Sequence, residues 1–186
     1  MDGASERVHA TAIAIGEPGG FAAALIRGAP GSGKSDLALR CLGLGPSPLV
    51  TGVARLVADD QVQLTRRAAR LVATAPAAIR GLVEVRGLGI VPLASVDHAV
   101  VALVVDLVPR DAVPRLPDPP GRAVLLGLEV PRVALHAFDA SAPLKVLLAL
   151  EQAAAAASRA TAGPASGDSA AGGRWPRVRE PEDGTN

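Results

Sequence analysis

The chain has 186 residues, 49% of them hydrophobic and 20% charged, and a formal net charge of +1. This length fits one domain with a short tail, and the nearly balanced charge excludes a global basic field that would hold nucleic acid. With only two Phe, one Trp and no Tyr, the composition also argues against a surface that reads bases or sugars by aromatic stacking.

Cysteine content and hydropathy indicate the compartment. The single cysteine, Cys41, excludes an intramolecular disulfide and agrees with a reducing cytosol; we predict it to be an apolar helix residue. Residues 1–9 contain acids and no apolar run, so no signal peptide is expected. The longest apolar stretch, residues 99–105, is far too short to span a bilayer. We therefore expect a cytoplasmic protein without a membrane partner.

The first half of the chain predicts two strands, a loop and a helix. Residues 8–15 and 21–26 are strand-like, and the second strand leads into a glycine-rich loop. A helix follows over residues 34–42, with Leu37, Ala38, Cys41 and Leu42 on one face. Short β-like segments come next, at residues 56–58, 62–65, 71–74 and 82–85.

The second half predicts a buried strand, a loop, another strand and a helix. Residues 100–107 form the most apolar strand, residues 109–120 hold five prolines and form a loop, residues 132–137 form a strand, and residues 143–160 form a helix. Beyond residue 161 the sequence is rich in Gly, Ser, Pro and charge, which predicts a disordered tail. We predict an α/β fold, a mixed sheet with flanking helices, over residues 6–160, followed by the tail 161–186.

The glycine-rich loop matches the G-x-x-x-x-G-K-[ST] pattern of a phosphate-binding loop. Its residues are Gly28, Ala29, Pro30, Gly31, Ser32, Gly33, Lys34 and Ser35. Glycines let backbone N–H groups converge on phosphate oxygens, and the helix N-terminus adds positive potential. Lys34 reaches the β- and γ-phosphates, and the Ser35 hydroxyl ligates Mg²⁺. The loop predicts a nucleotide ligand and leaves the reaction open.

Three sets of acids compete to complete such a site. Asp106 ends the apolar strand, where many P-loop enzymes place a metal-supporting acid, although it equally fits a strand cap. Asp59 and Asp60 follow another strand and would point to opposite faces unless the chain turns there; one could accept a proton from an attacking hydroxyl, or both could be solvated. Glu84 would share a strand face with Arg86, as a metal and phosphate clamp or as an exposed ion pair.

Four segments together resemble a known family. They are Val8-His9-Ala10, the loop 28–35 continued by Asp36 to Leu39, Leu56 to Asp60, and Glu84 to Ile90. The chain resembles the catalytic domain of HPr kinase/phosphorylase in its short proteobacterial form, over roughly residues 6–150, with a weaker match after Val108.

The resemblance implies a bifunctional, ATP- and Mg²⁺-dependent protein-serine kinase. Its partner would be HPr, the small phosphocarrier protein of the sugar phosphotransferase system, and the reaction would be reversible with inorganic phosphate. The fold would resemble the nucleotide-binding core of phosphoenolpyruvate carboxykinase, in a homo-oligomer that is usually a hexamer.

The resemblance also implies residue roles. The catalytic residues would be His9, Lys34, Asp60, Arg86 and Arg115. Lys34 would contact the transferred phosphate, Asp60 would be the general base in the forward direction and the general acid in reverse, and His9 would sit beside the reacting phosphate. Magnesium would be held by Ser35, Glu84 and Asp59.

Two alternative functions remain open, and one segment of the chain departs from the family pattern. The chain could be another small P-loop kinase or NTPase that uses Asp106, or a nucleotide-binding regulator without catalysis. Where the family often has a basic Pro-Gly-Arg stretch associated with dephosphorylation, this chain has residues 133–139, VALHAFD. The chain therefore departs from the family pattern in the segment associated with the reverse activity.

Overall fold

The computed structural model describes residues 3–18, 20–116 and 120–161. Within them lie two α-helices, α1 (Lys34–Leu42) and α2 (Ala142–Thr161), and two short 3₁₀ turns, Ala77–Ile79 and Arg110–Ala112. The strands are β1 (Ser5–His9), β2 (Thr11–Ile15), β3 (Ala22–Arg27), β4 (Arg55–Ala58), β5 (Gln61–Arg67), β6 (Arg70–Thr74), β7 (Leu82–Val85), β8 (Gly89–Pro92), β9 (His98–Leu107), β10 (Arg122–Leu125) and β11 (Leu128–Leu135).

The main sheet is mixed, with the order β1-β5-β6-β9-β3-β2-β4. Strand β11 pairs with β10 through residues 128–131 and with β9 through residues 132–135. Strands β3 and β11 run parallel to β9, and β4 runs parallel to β3 because both are antiparallel to β2. The carboxyl ends of β3, β4, β9 and β11 therefore meet at one edge, where ligands commonly bind in α/β sheets.

Both faces of the central strands are covered. Helices α1 and α2 pack on one face, in a core that includes Ile26, Leu37 and Leu147. On the other face, a second core that includes Leu25 and Leu64 joins the central strands to β5, β6 and β10. Every residue of β2 is buried, which is why this strand is continuously apolar rather than alternating.

The helices and most strands confirm the predicted elements, and the mixed α/β class is confirmed. Helix α1 has the predicted bounds, and α2 extends the predicted helix by one residue at each end. The loop predicted over residues 109–120 contains a 3₁₀ turn, and residues 117–119 lie outside the described part. The predicted disordered tail also lies outside it, apart from Thr161 at the end of α2.

The prediction of one strand over residues 8–15 was wrong. Strand β1 pairs with β5, whereas β2 pairs with β3 and β4, and the chain changes partners at Ala10, whose N–H donates to the Asp60 carbonyl at 3.3 Å. Apolar content continues through the bend, so hydropathy did not reveal it. Strands β8 and β10 were missed; β8 starts with Gly89 and ends with Pro92, residue types that do not indicate a strand. Strand β11 spans 128–135, so the prediction of 132–137 started late and ran past its end.

Candidate nucleotide-phosphate site

The glycine-rich loop connects β3 to α1 at the shared carboxyl edge of the sheet. Gly31 and Gly33 have φ angles of 78° and 91°, a left-handed conformation that favours glycine. The Lys34 ammonium donates hydrogen bonds to the carbonyls of Gly28 and Ala29, at 3.1 and 3.2 Å. These acceptors are uncharged, so the lysine keeps its full positive charge for an anion on the loop.

A cleft of about 400 Å³ opens above this loop. Its lining combines loop residues with side chains from both ends of the chain: His9, Pro30, Gly31, Gly33, Lys34, Ser35, Asp36, Leu39, Asp59, Asp60, Glu84, Val85, Arg86 and Phe138. Gly28, Ala29 and Ser32 of the loop are not part of this lining. The Ser32 hydroxyl is buried without a hydrogen-bond partner among the described residues, close to where a side chain at Gly28 would point.

Asp59, which directly follows β4, is hydrogen-bonded to the first turn of α1. It is 4% exposed, and its Oδ1 accepts hydrogen bonds from the Ser35 hydroxyl at 2.8 Å and the Thr11 hydroxyl at 2.7 Å. Thr11 is fully buried. Both hydroxyls approach the same oxygen and Asp59 lines the cleft, so Oδ2 can still accept another ligand.

Asp60 has a different environment because the chain turns at this residue. Its φ is 63°, and the Gln61 N–H donates to the Asp59 carbonyl at 2.7 Å. The Asp60 side chain is 63% exposed, and its Oδ1 lies 3.1 Å from His9 Nδ1, which also lies 3.0 Å from the Asp60 carbonyl oxygen. The predicted condition for both acids to serve the site, a turn at the pair, is therefore met.

Glu84 and Arg86 belong to the β7–β8 hairpin, which forms the opposite wall. Glu84 lies in β7, whereas Arg86 lies in the turn, so the two residues do not share a strand face as the sequence predicted. They form no ion pair with each other, and both line the cleft. Gly87 and Gly89 have φ angles of 85° and 93° with open space around them. These left-handed conformations form the turn between β7 and β8.

The segment between β11 and α2 forms a further wall. Phe138 lines the cleft next to Gly33, and Asp139 accepts a hydrogen bond from Arg110 at 3.0 Å. This hydrogen bond, together with the charge of Arg110, lowers the pKa of the Asp139 carboxyl below its usual value, and Lys145 adds to the effect. Asp139 is therefore an anion that ties the wall to the loop after β9.

The donor set fits a magnesium ion that also uses phosphate oxygens. Ser35 and Asp59 adjoin each other, and Glu84 lines the same cleft. Within the described ranges no group of three or more His, Cys, Asp or Glu is close enough to hold a metal alone. Magnesium is commonly bound by one or two carboxylates, with water and substrate phosphates completing its octahedron.

Two sequence candidates lie away from the cleft. Asp106 accepts two hydrogen bonds from Arg27, at 2.8 and 3.0 Å, and one from Arg132 at 3.3 Å; it does not line the cleft. Its carboxylate is already neutralised by two guanidinium groups, so the alternative that gave Asp106 the metal lacks structural support. Arg115 is exposed in the loop after β9 and is not brought to the cleft.

Sequence reasoning missed several residues of the site. Thr11 is a polar residue within an apolar strand, which was the available signal. Phe138 is one of only two Phe in the chain and comes four residues before α2. Leu39 and Val85 lie in predicted elements, but periodicity does not tell which of their faces borders a ligand cleft.

A glycine-rich loop between β3 and α1, with two acids directly after β4, defines this molecule as a mixed α/β protein with a candidate phosphate-binding loop. A family model described as the HPr Serine kinase C-terminal domain matches residues 3–163. The chain belongs to the HPr serine kinase C-terminal domain family.

Curated relatives are named HPr kinase/phosphorylase. The protein of Geobacillus thermodenitrificans is 34% identical over 122 residues, covering 60% of this chain and 37% of the relative. That of an Exiguobacterium strain is 38% identical over 96 residues, covering 47% and 28%. The matches thus span about a third of the relatives' length.

A solved structure has the same fold. The "Hpr(Ser) kinase/phosphatase from Coxiella burnetii" superimposes with a TM-score of 0.64 at 24% identity, covering 84% of this chain and 96% of that one. In the part of the chain that is described, no helix is long and apolar enough to cross a membrane.

Proposed function

We propose that this protein is an ATP-dependent serine kinase that phosphorylates an HPr-type phosphocarrier protein. The observation that carries the proposal is that two adjacent acids have different surroundings. Asp59 is buried and bound to Ser35 of the phosphate loop, whereas Asp60 is exposed at the cleft and held by His9. The curated relatives bear the name of this activity.

The proposed step transfers the γ-phosphoryl group of ATP to a serine hydroxyl. The serine Oγ forms a bond to the γ-phosphorus, the bond to the β–γ bridging oxygen breaks, and ADP leaves. Asp60 accepts the serine proton. His9 positions the Asp60 carboxylate through its 3.1 Å contact, and the Lys34 ammonium stabilises charge on the transferred group.

Magnesium and Arg86 complete the proposed charge balance. The ion would be held by Ser35, Asp59 and Glu84, and when bound it neutralises charge on the β- and γ-phosphates. Arg86 forms no ion pair among the described residues and lines the cleft beside Glu84. It is therefore available to a phosphate oxygen as a bidentate donor. The catalytic role of Arg115 stays a prediction. This residue lies outside the cleft and would have to move to reach it.

Several parts of the proposal rest on the family alone. We infer a cytoplasmic protein that acts on HPr in the control of carbohydrate metabolism, as a homo-oligomer and by resemblance a hexamer. No nucleic-acid or membrane partner is proposed, given the net charge of +1. The reverse reaction would use the same groups, with inorganic phosphate as the attacking species and Asp60 returning a proton to the leaving serine oxygen.

The test combines purified HPr, labelled ATP and the Asp60→Asn variant. Asparagine tolerates the left-handed backbone at this position, so the variant should fold. We expect phospho-HPr formation to fall by roughly a hundredfold or more, because the proton acceptor is lost, while ATP binding changes by less than about twofold.

Two controls make the result specific. Asp111→Asn alters an exposed acid outside the cleft and should keep full activity, and HPr without its acceptor serine should remain unlabelled. Full activity of Asp60→Asn would contradict the assignment of the base. ATP binding by the unaltered protein without any phospho-HPr would favour a non-catalytic nucleotide-binding regulator.

A further inference from the structure

Phe138 is an exposed aromatic side chain in the wall of the cleft. The residue is 60% exposed, although the whole chain contains only two Phe, one Trp and no Tyr. Exposing an apolar ring to water costs free energy, and a ligand that packs against the ring recovers this free energy. The scarcity of aromatic residues argues against an extended base-binding surface, but a single ring inside a cleft suits a single ligand.

The ring of Phe138 has an aromatic partner. The His136 and Phe138 rings are in a T-shaped arrangement, with ring centroids 5.8 Å apart and planes at 69°. His136 Nδ1 in turn lies 3.3 Å from the Val108 carbonyl oxygen. Such contacts favour one orientation of the ring, which lowers the entropy cost of binding against it.

The backbone around Phe138 is anchored on both sides. Arg40 of α1 donates a hydrogen bond to the Ala137 carbonyl, and Asp139 is paired with Arg110. The ring also reaches the loop itself, because its Cζ would lie 2.9 Å from a Cβ built on Gly33. The wall at Phe138 is therefore connected to α1, to the loop after β9 and to the phosphate loop.

The strand order gives the cleft two different sides. The phosphate loop follows β3; β2 and β4 lie on one side of that strand, and β9 and β11 lie on the other. Asp59 and Asp60 follow β4, whereas Phe138 follows β11. A nucleotide on the loop with its terminal phosphate at the acids has its opposite end, the nucleoside, on the side of Phe138.

We propose that Phe138 forms the nucleoside subsite, its ring packing against the adenine base of the bound nucleotide. This inference rests on the proposed use of ATP and adds to it the residue that distinguishes a nucleotide from a bare polyphosphate. Aromatic packing recognises the flat face of a base and not its edge, so the subsite accepts other purine nucleotides as well.

The experiment measures Kd for Mg²⁺-ATP and for Mg²⁺-tripolyphosphate by calorimetry. Tripolyphosphate offers the phosphates without the nucleoside. For Phe138→Ala we expect Kd for ATP to rise roughly tenfold, as for loss of one base–aromatic contact, and Kd for tripolyphosphate to change by less than about twofold. Phe138→Trp should keep ATP binding near that of the unaltered protein.

Val124→Ala is the matched control, since Val124 is also an exposed apolar residue, at 67%, and lies outside the cleft. Equal weakening of ATP and tripolyphosphate by Phe138→Ala would overturn the inference, because the ring would then only support the loop. Unchanged ATP binding in that variant would also overturn it and leave the proposed kinase intact. Absence of ATP binding by the unaltered protein would instead remove the proposed function as well.

Discussion

At the scale of single residues, two neighbouring acids with the same chemistry occupy opposite environments. Asp59 continues the direction of β4 into the interior and meets two hydroxyls, from Thr11 and Ser35. Asp60 adopts a left-handed backbone and points to the cleft. A left-handed backbone at a residue other than glycine has a conformational cost, of a kind that clusters at functional sites.

The metal assignment is tested by comparing Glu84→Gln with Asp106→Asn. We expect Glu84→Gln to raise the Mg²⁺ concentration for half-maximal turnover by roughly tenfold or more, because a charged oxygen ligand becomes a neutral one. Asp106→Asn should leave this concentration unchanged and lower the melting temperature, because two guanidinium groups lose their anion. Titration of turnover with Mg²⁺ and thermal unfolding measure the two effects. The opposite pattern would indicate that Asp106, and not Glu84, binds the metal.

At the scale of elements, the ends and turns of the strands create the site. The corner at Ala10 and the turn at Asp60 lie side by side, which brings His9 to Asp60 although the two are 51 positions apart. Neither bend is marked by a Gly or Pro, and the Asp59-Asp60 pair is only a weaker turn signal. The β7–β8 turn does contain glycines, and the sequence predicted strand β7 and its acid, Glu84.

Helix α2 stabilises the chain leading into β4 through one side chain. The Glu151 Oε1 accepts hydrogen bonds from the Thr51 and Gly52 N–H groups, both at 2.7 Å, and from the Thr51 hydroxyl at 3.1 Å. We expect Glu151→Ala to lower the free energy of unfolding by about 1–3 kcal/mol, the range for hydrogen bonds to a charged group.

Urea denaturation measures this change, with Glu151→Gln and Gln152→Ala as companions. Glutamine retains an acceptor oxygen, so Glu151→Gln should cost less than Glu151→Ala. Gln152 is the exposed neighbour on the same helix. If Glu151→Ala is no more destabilising than Gln152→Ala, the loop does not depend on this side chain.

At the scale of the whole molecule, Cys41 reports on the packing of the two helices against the sheet. It is fully buried, and its thiol lies 3.7 Å from the Pro143 carbonyl oxygen at the start of α2. Burial raises the pKa of the Cys41 thiol from 9.0 to about 12, with a smaller opposing effect of Arg40. The prediction of an apolar helix cysteine is confirmed.

This pKa predicts how stability changes at alkaline pH. Below pH 9 the thiol is protonated in the folded and unfolded chains alike; above it, only the unfolded chain releases the proton, so stability falls as pH rises towards 12. The slope from this group approaches about 1.4 kcal/mol per pH unit. With no Tyr and only two Lys in the chain, few other groups titrate there.

Denaturation curves between pH 8.5 and pH 10.5 (about the range where this titration is measurable) test the prediction. Cys41→Ala should be less stable at pH 8.5 because it leaves a cavity, but its stability should fall less steeply with pH. Equal slopes for the two proteins would mean that the thiol is not protected by the fold.

The sequence by itself determined the parts whose chemistry is local. The phosphate loop and α1 follow from eight consecutive residues and a helix period, and four short segments sufficed for the family. It also supplied the residue types at Asp60 and Glu84. Local backbone preference and side-chain period decide such features, so they can be recognised without knowing the partners.

Only the tertiary structure shows the physical reason why Asp59 and Asp60, rather than Asp106, lie at the loop. All three acids follow apolar strands, so hydropathy does not rank them, and the family resemblance favoured Asp59 and Asp60 without giving a geometric cause. The ranking comes from Arg27 and Arg132 neutralising Asp106, the turn at Asp60, and β2 and β4 lying opposite β9 and β11 about the phosphate loop. Strand order and side-chain pairing are long-range properties, set by which apolar faces pack together, and periodicity along the chain carries no record of them.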